Sequence, residues 1–188
     1  TIQAEDQPIN NDERAMTGAS LLSSSLAMGG LNLNGATVTV GVGDNSSGLF
    51  HTDTRDRIIN FNPDPMELHG QHVTGTIAGK GIINPRGKGL APNATVLAHL
   101  YNLVWAQTAP MFQDYNMTLT NNSYAALVND CAVAGMYDIY SQMLDSLALQ
   151  FPKVLNVFAA GNDGNKSCPP YPTGYGTVVG IYQPAKNV

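Results

Sequence analysis

The feature that most constrains the fold is a series of short apolar runs, rich in β-branched residues and bounded by turn residues. The runs "ATVTVGVGD", "ATVLAHLY", "NMTLTNNS", "VLNVFAAGNDG" and "GTVVGI" begin at Ala36, Ala94, Asn116, Val154 and Gly176. Runs of this length and composition indicate buried strands. Because helical segments separate them, they predict an α/β fold with right-handed crossovers. We expect a mostly parallel twisted sheet with helices on both faces, in three layers.

Two segments, one before the first run and one between the third and fourth, have the apolar spacing of amphipathic helices, and "HVTGTIAG" reads as a third, shorter helix. The first segment, "NNDERAMTGASLLSSSLAM", places apolar residues at Leu21, Leu22, Leu26 and Met28 and is followed by two glycines. The second is "MYDIYSQMLDSLALQ". Its predicted apolar stripe consists of Tyr137, Tyr140, Met143, Leu144 and Leu147.

Length and charge limit the class of protein. The chain has 188 residues, 43% of them hydrophobic, which suffices for one domain with a sizeable core. We expect residues 1–35 to form an extension with a helix and residues 36–188 to form the core. The net charge of −5 and the lack of a basic stripe argue against a nucleic-acid partner. No apolar run has the length of a membrane span, and no signal-peptide pattern is present.

Polar residues follow the predicted strands where the carboxyl ends of a parallel sheet would meet. Asp44 ends the first run, "NNS" ends the third, and Asn162 follows the fourth. Active sites in such sheets lie beyond the carboxyl ends of the strands. A carboxylate can orient an imidazole such as that of His69, which then accepts a proton from a nucleophile. An amide can stabilise an oxyanion, so three of the four parts of an acyl-transfer site are present.

Several motifs resemble those of the subtilisin-like serine peptidases, or subtilases. "VGVGDNSSGLFHTD" resembles the segment around that family's catalytic aspartate, and "HGQHVTGTIAG" matches "HGTHVAGTIAG" except at Gln71 and Thr74. "GKGLAPNATV", "TNNSYA", "FAAGNDG" and "GTVVGIYQPAKNV" resemble later blocks of the family and follow in the family's order. The resemblance covers roughly residues 36–188 and implies a subtilisin-like fold.

The resemblance implies roles for individual residues. His69 would be the general base and Asp44 the carboxylate that orients it, while His72 would be structural. Asn162 would donate to the oxyanion. The residues implied to bind substrate are Ser123, Tyr124, Ala125 and Gly161, which would receive an extended peptide by β-augmentation. Ala125 stands where the family usually has glycine.

The family's nucleophile lies in a "G-T-S-M-A/S" motif, and no serine of this chain lies in that context. We therefore expect an incomplete peptidase domain, truncated at its C-terminus and inactive alone, whose partners are a peptide or protein substrate and the remaining part of its own domain. The uncovered edge at "GTVVGI" would favour self-association. The resemblance also implies a secreted or cell-surface protein whose signal segment has been removed.

Cys131 and Cys168 are the two cysteines of the chain. They are either two buried thiols or a disulfide that closes a loop of about 38 residues, and we predict the disulfide. No cofactor is expected to be required. Many subtilases hold calcium near an aspartate after the first strand, where Asp53 stands, and in a loop after the catalytic helix. That loop, "GKGIINPRGKG", is basic and offers only Asn84 as a side-chain donor, so we expect a degenerate or absent site.

Other functions fit parts of the sequence. His69 and His72 could bind a metal as the ligands of a metal-dependent hydrolase, with Glu67, His51 or His99 as the third ligand. "GVGDNSSG" lacks the third glycine of a dinucleotide-binding loop. The main alternative to a peptidase is a non-catalytic protein with the subtilase fold that binds extended peptides along "TNNSYA".

Overall fold

The fold is α/β and is built on a parallel sheet, as the sequence predicts; the described sheet has five strands, one of which, Ile58–Asn60, was not predicted. The computed structural model describes residues 10–45, 51–62, 68–125, 131, 134–162, 166–170 and 185–186. The strands are β1 (Thr39–Asp44), β2 (Ile58–Asn60), β3 (Thr95–Leu100), β4 (Met117–Asn122) and β5 (Leu155–Phe158). Their order in the sheet is β2-β3-β1-β4-β5. The predicted strand "GTVVGI" lies outside the described residues.

Six α-helices occur in the described part of the chain. They are α1 (Asn10–Met16), α2 (Ala19–Ser23), α3 (His69–Ala78), α4 (Leu103–Ala106), α5 (Thr108–Tyr115) and α6 (Ile139–Gln150). Single 3-10 turns lie at Leu26–Met28 and Pro85–Gly87. Among these described helices, none has both the length and the apolar character needed to cross a bilayer.

The strand register brings the carboxyl ends of neighbouring strands to one edge of the sheet. In the parallel pair of β4 and β5, Asn122 lies opposite Phe158. The N–H of Tyr101, just after β3, donates to the carbonyl of Asp44 at the end of β1, with an N–O distance of 2.8 Å. The residues that follow these strands are therefore the ones available to form a site.

The chain divides into two compact units, Thr1–Thr39 with Asn45–Ala98 and Val40–Asp44 with His99–Val188. The first unit buries one face of α3 and the middle of β3; its buried residues include Thr74, Ala78, Val96, Leu97 and Ala98. The core of the second unit is formed by β1, α4, β4 and α6. Its largest buried apolar side chains are Trp105, Met117, Leu144, Val42 and Val104.

The glycines of "VGVGD" allow β1 to be approached closely on one face. A Cβ atom at Gly41 would lie 2.6 Å from Met117 Sδ and 2.6 Å from a methyl carbon of Val104. A Cβ at Gly43 would lie 2.6 Å from the other methyl carbon of Val104. Such distances are far below van der Waals contact. Helix α4 can therefore pack on β1 only because positions 41 and 43 are glycines.

The prediction of one continuous N-terminal amphipathic helix is wrong. Gly18, with φ of +75°, separates α1 from α2, and α2 ends at Ser23. The leucines that suggested the apolar stripe are exposed, Leu21 to 60% and Leu26 to 73%. The buried residue of the segment is Arg14, whose guanidinium donates to Ser23 Oγ at 2.7 Å and to the carbonyl of Gly89. The segment is therefore attached by a buried cation, while its leucines face outward.

Helix α6 forms as predicted, but its buried face differs from the predicted stripe. Leu144 is fully buried, whereas Met143 is 44% exposed and Tyr137 precedes the helix. Asp145 is buried beside Leu144 and accepts hydrogen bonds from the Tyr137 hydroxyl at 2.6 Å and from the backbone N–H of Lys186 at 2.8 Å. A carboxylate with two donors is therefore part of the buried face of α6, although the predicted stripe did not include it.

His99 is a buried titratable group in β3. It is 4% exposed, and its Nε2 atom lies 3.4 Å from the sulfur of Met111. Burial disfavours the charged imidazolium and lowers the pKa of His99 below its usual value.

We expect His99 to make the fold sensitive to acid. Its pKa is lower in the folded state, so its contribution to stability is complete above the unfolded-state pKa. That contribution is lost as pH falls through the folded-state pKa, with a slope of at most about 1.4 kcal/mol per pH unit. Urea unfolding at about pH 7 and about pH 5 should show a smaller loss for His99→Leu than for the wild type. His72→Gln, at an exposed position, is the control. Equal losses in all three proteins would contradict this assignment.

Candidate active site

Asp44 is the last residue of β1 and is 2% exposed. The preceding residues are buried along the whole strand, so the sequence places a carboxylate at the end of an apolar run. Asn45 follows it directly, and its side-chain Oδ1 accepts a hydrogen bond from the backbone N–H of Gly70 at 2.8 Å. The residue after Asp44 is thus in contact with the residue after His69.

His69 is the first residue of α3 and is exposed. The next residue, Gly70, is buried, and the helix continues from there into the buried Thr74. His72 is also exposed, and its N–H makes the hydrogen bond to the carbonyl of Leu68 that opens the helix, at 3.0 Å. His69 is therefore accessible to solvent, as a proton-transfer group must be. The buried Gly70 next to it holds the start of the helix in place.

A network of buried polar side chains lies at the carboxyl end of β4 and is centred on Asn122. Asn122 is 1% exposed; its Nδ2 donates to Thr120 Oγ1 at 3.0 Å and to the carbonyl of Val157 at 3.1 Å. Its Oδ1 accepts from the Tyr124 hydroxyl at 3.3 Å, and that hydroxyl accepts from Trp105 Nε1 at 3.0 Å. The network links β4, β5 and α4.

The network fixes Tyr124, one of the residues that the resemblance assigns to substrate binding. The Tyr124 ring makes edge contacts with Tyr101, at a centroid distance of 5.5 Å, and with Phe158, at 6.1 Å. Beside it, Asn121 Nδ2 donates to Ser123 Oγ at 2.8 Å. The chain leaving β4 therefore has ordered side chains up to Tyr124, and Ala125 is exposed.

We expect Asn122→Ala to lower the free energy of unfolding by about 3 kcal/mol, because it removes the centre of a buried network, and with it one hydrogen bond each of Thr120 Oγ1, the Val157 carbonyl and the Tyr124 hydroxyl. Chemical denaturation measures the loss. Asn102→Ala is the matched control, since Asn102 makes no side-chain cap hydrogen bond at the start of α4. A loss no larger than that of the control would show that the network contributes little.

Asn162 and Gly161 follow β5 at the same edge of the sheet as Ser123 and Tyr124. The N–H of Ala159 donates to the carbonyl of Asn122 at 3.0 Å and extends the pairing of β4 and β5 by one residue. Gly161 has φ of +102°, a value that L-residues rarely adopt, so the turn there needs glycine. Asn162 is exposed.

Cys131 and Cys168 form a disulfide with a Cα–Cα distance of 5.3 Å. Cys168 is buried, while Cys131 is exposed. The bond joins the chain before α6 to the chain after β5.

Asp53 holds the loop that follows α3. Its Oδ1 accepts from the backbone N–H of Ile82 at 2.6 Å, and its carbonyl accepts from the N–H of Lys80 at 3.0 Å. Asn84 Oδ1 accepts from the N–H of Arg86 at 3.0 Å. A calcium ion needs six to eight oxygen ligands, whereas Asp53 Oδ1 and Asn84 Oδ1 each accept a hydrogen bond from a backbone N–H group.

In the residues that the structure describes, no three His, Cys, Asp or Glu side chains are grouped so that they could hold a metal ion. Glu67, one candidate ligand, lies outside those residues.

The sequence profile of the Subtilase family, peptidase S8, matches residues 35–186. The chain belongs to the subtilase family. This subtilase domain is also similar in fold to solved proteases. The structure of the Clostridium perfringens CspB protease matches with a TM-score of 0.63 and 18% sequence identity, over 82% of this chain and 41% of that one.

Two further solved structures match. MycP1 with its N-terminal propeptide removed has a TM-score of 0.57 and 20% identity, over 93% of this chain and 58% of its own. The serine protease of Aeromonas sobria has a TM-score of 0.54 and 23% identity, over 73% of this chain and 27% of its own. The subtilase chain thus spans less than two thirds of the length of these proteins. A search of curated proteins gave no match.

Proposed function

We propose that the whole protein is a subtilisin-like serine endopeptidase and that this chain supplies His69 as the general base, Asp44 as its orienting carboxylate and Asn162 as the oxyanion donor. The observation that carries the proposal is the 2.8 Å hydrogen bond from the Gly70 N–H to Asn45 Oδ1. It ties the residue after the buried carboxylate to the residue after the exposed imidazole. Family membership over residues 35–186 supports it.

The chemistry follows from these roles. His69 accepts the proton of a serine hydroxyl as the oxygen attacks the scissile carbonyl, and Asp44 stabilises the resulting imidazolium. Asn162 donates to the oxyanion of the tetrahedral intermediate. His69 then gives the proton to the leaving amine, which leaves an acyl-enzyme that water hydrolyses. The serine would come from a "G-T-S-M-A/S" segment, a pattern that no serine of this chain has.

The end of β4 and the turn after β5 would bind the substrate. An extended peptide would pair with the backbone at Ser123 and Ala125 and lie beside Gly161. The Tyr124 hydroxyl is hydrogen-bonded to Trp105 and Asn122. The ring, beside the strand that binds substrate, would therefore lose little conformational entropy when substrate binds.

We propose that the protein is exported to the cell surface or secreted. The disulfide between Cys131 and Cys168 supports this location, since such bonds persist in oxidising compartments.

A fluorophosphonate probe tests the peptidase proposal. We expect stoichiometric labelling of one serine in the whole protein and no labelling of the 188-residue chain alone. Labelling of the chain alone would place the nucleophile among its own serines and contradict the proposed roles of His69, Asp44 and Asn162. An unlabelled whole protein that still binds extended peptides would instead favour the non-catalytic alternative.

We propose that the loop after α3 is held by Asp53 without calcium. The direct bond from Ile82 N–H to Asp53 Oδ1 supports this, as does the basic character of the loop, which contains Lys80, Arg86 and Lys88 and no acidic residue. Positive side chains around the loop would repel a divalent cation.

Asp53 variants separate the two ways of holding this loop. We expect Asp53→Ala to lower the free energy of unfolding by about 1 kcal/mol and Asp53→Asn to lose less, because asparagine keeps an acceptor oxygen. Thermal unfolding with excess calcium and with a chelator should give equal midpoints for the wild type. A midpoint raised by calcium in the wild type and not in Asp53→Asn would show that the loop binds the ion.

A further inference from the structure

Among the described residues, the start of α3 has no local side-chain cap. A helix leaves its first four N–H groups without intrahelical partners, and a polar side chain at the N-cap position usually accepts from one of them. The N-cap residue here is Leu68, whose side chain has no polar atom. His69 occupies the first helical position, so it lies in the turn that is most prone to fray.

Asn45 takes the place of the missing cap from a distant part of the sequence. Its Oδ1 accepts from the N–H of Gly70 at 2.8 Å, across a separation of 25 residues. Gly70 is the second helical residue, which is one of the two positions that a cap side chain normally reaches. Because Gly70 is buried, water is a poor substitute for this acceptor.

The position of Asn45 gives this bond a second effect. Asn45 directly follows Asp44 at the end of β1, and Gly70 directly follows His69. A cap supplied by a close sequence neighbour would tie the helix start only to its own segment. A cap supplied by Asn45 ties it to the residue that follows β1 in the sequence.

We propose that Asn45 is a positioning residue that holds the backbone of His69 at the start of α3 by capping Gly70. The proposal rests on the proposed role of His69 as the general base. Asn45 itself would touch neither substrate nor reacting atoms. Its loss would leave His69 present and exposed but would let the first turn of α3 open and shift.

Amide hydrogen exchange on the chain tests the bond without any need for activity. In the wild type, the Gly70 amide should exchange slowly. In Asn45→Ala it should exchange about fivefold faster, the ratio expected for a lost helix cap. Asn45→Asp should restore the protection, because a carboxylate oxygen accepts the same bond. Asn34→Ala is the matched control. It removes an asparagine oxygen that accepts from the N–H of Ala36 at 3.1 Å elsewhere in the same unit.

Kinetics of the whole protein test the positioning. We expect Asn45→Ala to lower kcat about tenfold with little change in KM, since a small misplacement of a catalytic group costs rate more than binding. Asn45→Asp should recover most of kcat, and Asn34→Ala should match the wild type. A purely structural role of Asn45 would lower the amount of folded enzyme in Asn45→Ala and would leave kcat per active site unchanged.

The outcomes separate this proposal from the peptidase proposal. Fast exchange of the Gly70 amide in the wild type would overturn the cap, and this result is independent of whether Asn45→Ala folds. Unchanged kcat in Asn45→Ala, titrated for active sites with a fluorophosphonate, would overturn the positioning role while the peptidase proposal stands. A wild-type protein without peptidase activity or labelling would overturn the role of His69, and the positioning role with it, while the exchange result would still report the cap.

Discussion

Replacing His69 by alanine in the whole protein is expected to lower kcat by about a millionfold, because no other group would then accept the proton of the nucleophile. That magnitude is the one known for subtilisin, a member of the same family, and is carried over from it. KM should change far less, since the imidazole acts mainly in the transition state. The measurement is steady-state hydrolysis of a chromogenic peptide by enzyme titrated for active sites.

His72→Ala is the matched control for this experiment. His72 lies three residues further along the same helix and is exposed as His69 is, so both substitutions remove an exposed imidazole from α3. We expect the control to retain most of kcat. A reversal, with His72 required and His69 dispensable, would show that the base was assigned to the wrong histidine.

The other two polar residues should give smaller losses in a fixed order. Asp44→Asn is expected to lower kcat about 10⁴-fold, since it leaves the imidazole without its charge partner. Asn162→Ala is expected to cost about 10²- to 10³-fold, the usual effect of removing one oxyanion donor. An Asn162 effect as large as that of His69 would mean that the asparagine does more than stabilise an oxyanion.

Removing the disulfide should have the largest effect on stability. The bond joins residues 37 positions apart, and the chain-entropy model gives about 4 kcal/mol for a loop of that length. We expect the double variant Cys131→Ser, Cys168→Ser to lose roughly that free energy of unfolding, measured by denaturant titration. Reduction of the wild type should produce a similar loss.

The double variant also controls for any effect of the reducing agent on stability other than reduction of this disulfide. Its stability should be the same with and without a reducing agent, because no thiol remains in the chain. A wild type that unfolds at the same denaturant concentration in both conditions would contradict a stabilising role for the bond.

The central strands β1 and β3 could be predicted because they are buried on both faces. A strand such as Val40 to Asp44 then reads as a short continuous apolar run that ends in a polar residue. β2 was missed because Ile58–Asn60 has three residues, half-exposed, after a turn. A run that short carries no periodicity.

The helices show where spacing alone misleads. Leu21 and Leu26 have helical spacing, but Gly18 breaks the segment and the leucines are exposed. In α6, by contrast, the polar Asp145 is buried because the Tyr137 hydroxyl and a backbone N–H reach it. Apolar periodicity reflects only the average preference of each residue type for burial. It carries no information about a hydrogen-bond donor elsewhere in the sequence that offsets the cost of burying a carboxylate.

The same distinction applies to the candidate site. Motifs single out Asp44, His69 and Asn162 as candidates, because each stands in a run of neighbours typical of the family. They did not identify Asn45 or the role of Asn122, since each acts through a contact with a residue more than twenty positions away. Such contacts leave no local pattern, so the structure was needed to find them.

The disulfide has a consequence for cleavage of this chain by any peptidase. Helix α6 and strand β5 both lie between the two cysteines. If the backbone were cut once anywhere in that interval, the two fragments would remain covalently joined. The nicked protein would migrate as one band on a non-reducing gel and as two after reduction. Cleavage there would therefore leave a protein whose pieces stay together while the bond is intact.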